Sequence, residues 1–311
     1  MIAPQAKRFL ALVSLLCLSS FSHSLAQQNT VSLVFNVSVT DDKGRTYRGL
    51  KPENFSAWVD KAPRKIISLT ADNQPASVGL LFHVSGSIGP SGTREAQNFW
   101  RKLGDGAAGF LKASNPENDY FASMFDANVA LTERWTGPDI SVLNKLSPLG
   151  NHLGTSLYDA LYFGIQNVMS GRHSRRALLM ISDGQDSNSK RTFNEVKALL
   201  KRSDVIVYAI GLMREEQAGS SLDQEGAAVL DELTGPTGGR VWLISRGSKR
   251  EAFKEAFEWI ASDLQNQYQL SIEKQDVPGP EKFRKLKLKL ELPKEKGGPK
   301  LYVRCRDGYY Q

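Results

Sequence analysis

Apolar residues in the middle of the chain alternate between continuous runs and one-sided helical stripes. The continuous runs VGLLFHV (78–84), ALLMI (177–181) and VIVYAI (205–210) are typical of strands buried on both faces of a sheet. Helical stripes with apolar residues three or four positions apart lie between and after these runs. The stripes are Phe99, Leu103, Ala107, Phe110 and Leu111; Leu157, Leu161, Gly164, Ile165 and Val168; and Phe253, Phe257, Ile260 and Leu264. This alternation predicts a doubly wound, Rossmann-like α/β sheet with helices on both faces.

Both ends of the chain show the period of two that is expected for half-buried strands. The N-terminal runs are VSLVFNVSV, FSAWV and KIISL, and the C-terminal runs are YQLSI, KFRKLKLKLEL and LYVRC. Two or three strands bury too little apolar surface to be stable alone. We therefore predict an N-terminal β segment at 27–72, an α/β domain at 73–266, and a C-terminal β segment at 267–311 that packs with 27–72 in a small all-β module.

The first 26 residues have the composition of a secretory signal peptide. Lys7 and Arg8 precede an apolar run at 9–18, and Ser24-Leu25-Ala26 forms a small-x-small cleavage site. The apolar run is shorter than the ~20 residues that a membrane-spanning helix needs, and no later run is longer. We expect a mature chain that starts at Gln27, has no transmembrane segment, and is exported to the periplasm or the extracellular space.

The charge of the chain does not indicate a nucleic-acid partner. The formal net charge is +7, and it becomes +5 when Lys7 and Arg8 leave with the leader. Residues 271–311 hold eleven Lys and Arg against six Asp and Glu, but KFRKLKLKLEL alternates strictly, with its leucines on one face. That pattern indicates the solvated face of a half-buried strand. Cys305 is the only cysteine left after cleavage, so we expect no intrachain disulfide and a buried, unreactive thiol.

Three loops carry oxygen-bearing side chains at positions that adjoin the predicted strands and helices. Ser85 and Ser87 follow the first apolar strand, Thr155 stands at a helix start in GNHLGTSLYDA, and Asp183 follows ALLMI. Ligands of open α/β sheets bind beyond the carboxyl ends of the strands. Hydroxyl and carboxylate oxygens suit Mg²⁺ or Mn²⁺, so the sequence indicates a candidate cation site.

The order of these motifs resembles the von Willebrand factor type A (VWA) domain. The motifs are HVSGS, GTSLYDA, LLMISDGQD and VIVYAIGL, and the resemblance covers about two thirds of the mature chain. The flanks VTDDKGRTYRGLKPENFSAWVD and QYQLSIE…KFRKLKLKL…VRCRDGYY resemble the bacterial exported VWA-related proteins of acidobacterial type. The family carries a metal-ion-dependent adhesion site (MIDAS) of the pattern Asp-x-Ser-x-Ser plus a distant Thr and Asp.

The resemblance implies that Ser85, Ser87 and Thr155 are direct metal ligands and that Asp183 contacts the ion directly or through water. The first Asp of the pattern falls on His83, an imidazole where the site needs an anion. Three alternatives follow. The site is degenerate and holds no ion, or it binds Mg²⁺ or Mn²⁺ weakly with a carboxylate from a partner. In the third alternative, His83 and His152 shift its preference to Zn²⁺ or another borderline ion, or make a pH-sensitive contact.

The resemblance implies a protein-binding or adhesion function through the top face, which we define as the surface formed by the loops of Ser85, Thr155 and Asp183. One alternative is a structural or assembly scaffold whose top face binds neither metal nor ligand. A remote alternative is a hydrolase that uses Ser85, His83 and Asp183. No G-x-S-x-G motif surrounds either serine, so we expect a non-enzymatic protein with no catalytic residues.

Overall fold

A six-stranded mixed sheet forms the centre of the molecule. The structure is a computed structural model that describes residues 32–86, 93–138, 154–214, 220–275, 278–292 and 299–311. The strands are β5 (Ala76–His83), β6 (Asp119–Phe125), β7 (Val129–Thr136), β8 (Arg175–Ser182), β9 (Val205–Met213) and β10 (Val241–Ser245). Their order is β10-β9-β8-β5-β6-β7, and all neighbours are parallel except β6 and β7. Every residue of β5 and β6 is buried, as expected for strands covered on both faces.

In the described residues, five α-helices cover the two faces of this sheet. They are α1 (Arg94–Ala113), α2 (Leu157–Met169), α3 (Phe193–Arg202), α4 (Ser221–Thr234) and α5 (Arg250–Gln265). Helices α1 and α5 pack on one face through a core that includes Leu103, Phe110 and Phe257. Helices α2, α3 and α4 cover the other face. The predicted doubly wound α/β fold class is confirmed. Within the described ranges, no helix has the length and apolar content that crossing a bilayer requires.

The two chain ends together form a β-sandwich. Its strands are β1 (Ser32–Asp41), β2 (Phe55–Val59), β3 (Ala62–Arg64), β4 (Ile66–Asp72), β11 (Gln267–Glu273), β12 (Phe283–Leu290), β13 (Leu301–Arg304) and β14 (Gly308–Tyr310), with a 3₁₀ turn at Pro52–Asn54. They form two four-stranded sheets, β13-β1-β11-β4 and β14-β12-β2-β3. Inward-facing side chains such as Phe35, Leu270 and Leu286 build one shared core. Each sheet combines strands from both ends of the chain, so neither end could complete it alone.

A buried polar cluster joins the sandwich to the α/β part of the molecule. Asp263 of α5 is 2% exposed and accepts hydrogen bonds from Tyr208 Oη of β9 (2.8 Å) and Ser38 Oγ of β1 (3.2 Å). Arg304 of β13 forms an ion pair with the same carboxylate at 2.6 Å, and Gln267 donates to both hydroxyls. Because these contacts link β1, β9, β13 and α5, the cluster holds the two parts in one compact unit that spans Val31–Gln311.

Candidate functional site

The candidate site lies where the strand order reverses. Strand β5 has β8 on one side and β6 on the other, so the connections that follow β5 and β8 diverge at the carboxyl edge of the sheet. His83 is the last residue of β5, and Asp183 directly follows β8. Thr155 stands two residues before the start of α2. The sheet topology therefore brings three of the predicted residues to one crevice.

His83 bridges the other two residues. Its side chain is fully buried and stacks on Phe125, with the ring centroids 5.2 Å apart and the planes 11° from parallel. Nε2 lies 3.0 Å from the Thr155 hydroxyl oxygen. Nδ1 lies 3.2 Å from Oδ1 of Asp183, in a close electrostatic contact whose direction departs from a linear hydrogen bond. The imidazole thus occupies the space between the hydroxyl and the carboxylate.

Asp183 has two cationic or potentially cationic neighbours. Nη2 of Arg246 lies 3.3 Å from Oδ2, on the side of the carboxylate that does not face His83, and the Gln185 amide donates to Oδ1 at 3.3 Å. Burial raises the pKa of Asp183, but His83, Arg246 and the Gln185 amide outweigh it and lower the pKa from 3.8 to about 2. At neutral pH the carboxylate is therefore ionised and already balanced by protein groups.

The loop that carries Arg246 is itself fixed in place. Lys102 of α1 donates to the backbone oxygens of Arg246 (3.2 Å) and Ser248 (2.8 Å), and the Arg246 amide donates to Met213 O. The arginine side chain is only 15% exposed. Arg246 is a site residue that the sequence analysis missed, because it follows β10, which is not a neighbour of β5 or β8.

The loop after β8 is tied to the start of α2. The Thr155 amide donates to Ser187 Oγ, and the amides of Ser187 and Asn188 both donate to the Thr155 carbonyl. Ser189 Oγ accepts from the first amides of α2, at Tyr158 and Asp159, and so satisfies groups that the helix start leaves without partners. The Asp159 carboxylate accepts from the Lys190 and Arg191 amides, so this residue holds the loop. The polar string SDGQDSNSK (182–190) is the feature of the sequence that indicates such a loop, because most of its side chains can form hydrogen bonds.

A contact between two glycines sets the position of Asp183. Gly184 has a φ of +76°, a left-handed conformation that favours glycine. A Cβ at Gly226 of α4 would lie 2.1 Å from the Asp183 backbone oxygen, and a Cβ at Gly184 would lie 2.2 Å from the Gly226 oxygen. Helix α4 can therefore approach the site loop only because both positions lack a side chain.

Four of the six predicted site residues lie in the described part of the chain, and three of these contact one another. His83, Thr155 and Asp183 are in direct contact, and Ser85 is buried two residues beyond His83. Ser87 and His152 lie outside the described residues. The hydroxyl bonded to His83 belongs to Thr155, whereas the hydrolase hypothesis placed Ser85 in that role. The metal-ligand roles of Ser85, Ser87, Thr155 and Asp183, and those of His83 and His152, stay predictions.

The contacts of these described residues do not suit a divalent cation. The Thr155 oxygen is bonded to an imidazole, and the Asp183 carboxylate lies between an imidazole and a guanidinium. Within the described ranges, no group of three or more His, Cys, Asp or Glu side chains could hold a metal ion. Hard cations need several oxygens that are free to coordinate. In this arrangement the protein supplies the positive charge itself.

We compared the chain with known protein families, curated proteins and solved structures, and only solved structures are similar to it. No protein-family model matches the sequence, and no curated protein is significantly similar to it. Several solved structures are similar to the chain. One is BatB from Bacteroides thetaiotaomicron, with 17% identity over 60% of this chain and 97% of the other, at a TM-score of 0.45. Another is a von Willebrand factor type A protein from Catenulispora acidiphila, with 10% identity, coverage of 88% and 73%, and a TM-score of 0.49.

A third similar structure is proximal thread matrix protein 1 from the mussel byssus, described with a zinc-occupied MIDAS motif. Its identity to this chain is 11%, the match covers 67% of this chain and 50% of the other, and the TM-score is 0.48.

Proposed function

We propose that the chain is an exported, non-enzymatic protein that binds a protein partner through its top face without a bound divalent cation. The observation that supports this most directly is the imidazole of His83 between Thr155 and Asp183. It connects the two loops of the crevice by protein contacts alone. The top face is then already organised for a partner before any ion arrives.

The surface around this crevice has the composition of a recognition site. Leu222, at the start of α4, is 42% exposed, and its backbone oxygen accepts from the Gln185 side chain of the site loop. The half-buried side chains of Arg214 and Arg246 lie at the ends of the neighbouring strands β9 and β10. An exposed apolar side chain near partly buried arginines is common at the centre of protein interfaces.

Hydrolysis is disfavoured by the amides around the Thr155 hydroxyl. A nucleophile with a His–Asp pair also needs free backbone N–H groups to stabilise the oxyanion. The Thr155 amide donates to Ser187 Oγ, and the Ser156 amide donates to the Asp126 carbonyl at 2.6 Å. Both nearby donors are therefore already used, which supports a binding function over a catalytic one.

Binding can be tested by photo-crosslinking in the source organism. A photoreactive amino acid is placed at Leu222, and in a second strain at Ile67 of β4, an exposed sandwich residue that serves as the matched control. We expect a discrete adduct from position 222, with equal yield in EDTA and in Mg²⁺. An adduct from position 67 alone would support the scaffold alternative, and loss of the 222 adduct in EDTA would overturn ion independence. Recovery of the adduct from the cell envelope or medium, with an N-terminus at Gln27, tests export.

The metal alternatives are tested by thermal melting of the mature chain. An ion at a hundredfold its dissociation constant stabilises the native state by ~2.7 kcal/mol. We expect no such shift with Mg²⁺, Mn²⁺ or Zn²⁺ in the wild type, and a shift with Mg²⁺ in the double variant His83→Asp/Arg246→Gln. A wild-type shift with Mg²⁺ or Mn²⁺ would favour the weak-site alternative. A Zn²⁺ shift that disappears in His152→Ala would favour the two-histidine alternative.

A further inference from the structure

A cavity of about 350 Å³ lies at the opposite edge of the central sheet from the top face. It is bounded by the last turns of α3, by the amino ends of β8 and β9, and by the sandwich strands β1, β11 and β12. Its volume falls in the range of small-molecule sites, and its position between two parts of the fold is a common one for such sites.

The cavity exists because the sandwich contacts the α/β part over only part of its width. On β1, Val34, Asn36 and Ser38 share one face, while Phe35 and Val37 point into the sandwich core. Ser38 reaches the polar cluster around Asp263 and closes the contact there. Val34 and Asn36 line the cavity, where the two parts separate.

The lining combines apolar side chains with two polar side chains that make no ion pair or hydrogen bond to a described residue. Val34 is 56% exposed, and Leu200, Ile206 and Phe283 supply further apolar surface. The Lys201 ammonium lies 5.3 Å from the centre of the Phe283 ring. It forms no ion pair with any described carboxylate. The Asn36 side-chain amide likewise makes no hydrogen bond to a described residue.

The other charged groups of the lining are already balanced or exposed. Lys197 pairs with Glu232 at 2.8 Å, and Arg306 pairs with Asp204. Arg175 is buried and donates to Gln267 and to backbone oxygens. Asp307 is exposed to solvent. The lysine ammonium and the Asn36 amide are thus the groups that a ligand would satisfy.

We infer that this cavity is a binding site for a small amphipathic carboxylate. The carboxylate would accept from the ammonium of Lys201 and the amide of Asn36, and the hydrocarbon body would cover Val34, Leu200 and Phe283. Lys201 is exposed at the rim of the cavity, where its charge favours an anionic head group over a cationic one, and the apolar lining favours a ligand with a hydrocarbon body.

The test uses the mature chain and a series of straight-chain carboxylates in isothermal titration calorimetry. Octanoate is expected to bind at one saturable site, up to about fourfold tighter per methylene added within the cavity. Octylamine is expected not to bind. Lys201→Gln should weaken octanoate tenfold or more, while Lys112→Gln, at the exposed end of α1, should leave the affinity unchanged.

A second variant tests the site by filling the cavity with a larger side chain. Val34→Trp places a large ring in the opening without disturbing a buried position, and it should abolish octanoate binding. Ile67→Trp changes a similarly exposed β-branched residue of the same four-stranded sheet and should have no effect. The absence of saturable octanoate binding would overturn the inference, as would binding that persists in folded Val34→Trp or binding of octylamine with equal affinity.

Discussion

The carboxylate of Asp183 provides a quantitative test of the site geometry. The perturbation is Asp183→Asn, which keeps the shape of the side chain and removes its charge. Contacts with His83 and Arg246 lower the pKa of Asp183 from 3.8 to about 2 despite burial, which raises it. A lowering of this size corresponds to about 2 kcal/mol, because each pKa unit is worth about 1.36 kcal/mol. We expect the variant to lose about 2 kcal/mol of unfolding free energy at pH 7.

The pH dependence gives this prediction its sign. The pKa of Asp183 is lower in the folded state, so its contribution is fully present above the unfolded pKa and is lost as pH falls from about 4 to 2. Urea unfolding of wild type and variant at several pH values measures the difference between them. Glu225→Gln removes the same charge from an exposed position of α4 and serves as the control. A wild-type advantage over Asp183→Asn that is unchanged between pH 6 and pH 2.5 would refute the proposed balance of charge.

Three further variants or measurements address the packing. Gly226→Ala should destabilise the protein by about 1–3 kcal/mol in urea unfolding, because its Cβ meets the Asp183 oxygen, whereas Gly109→Ala in α1, where the Cβ meets nothing, should stabilise it slightly. Asp263→Ala should cost about 3–5 kcal/mol in the same assay, because Arg304 is left without its buried partner, and a loss under 1 kcal/mol would contradict the role given to the cluster. Burial raises the pKa of Cys305 to about 12, so at pH 8 its thiol should react with a disulfide reagent about three orders of magnitude more slowly than a free thiol, and rapid labelling of the native protein would exclude this.

The sequence predicted the central fold because its buried strands and its helices have different apolar patterns. The strands β5, β8 and β9 were identified as continuous apolar runs, and the helices α1, α2 and α5 by apolar residues three or four positions apart. Strands β7 and β10 lie at the sheet edges and are shorter or more polar, so their pattern is weak. The pairing of β1 with β11 joins residues more than 230 positions apart, and no local pattern specifies which of several alternating strands will meet.

The site was predictable to the extent that sheet topology determines it. Residues that follow adjacent parallel strands converge, which is why His83 and Asp183 meet. Arg246 could not be placed in the same way. Its strand is the edge strand β10, two strands away from β8, and the side chain has to reach back across the end of β9. Only the three-dimensional arrangement shows that a third strand contributes a charge.

The contact between Arg246 and Asp183 also limits how a metal could bind at this site. Two unit charges about 4 Å apart interact by about 4 kcal/mol at the effective dielectric of a protein surface, so a doubly charged ion beside the guanidinium would be repelled by about 8 kcal/mol. By the same relation, the attraction of the ion to a single carboxylate at that distance is also about 8 kcal/mol, so the guanidinium offsets what Asp183 offers. His83→Asp alone would therefore add an anion next to a carboxylate that Arg246 still occupies. A divalent cation should bind only when the guanidinium is removed as well, which is why His83→Asp/Arg246→Gln, and not the single variant, distinguishes a lost metal site from one that the protein has filled with its own cation.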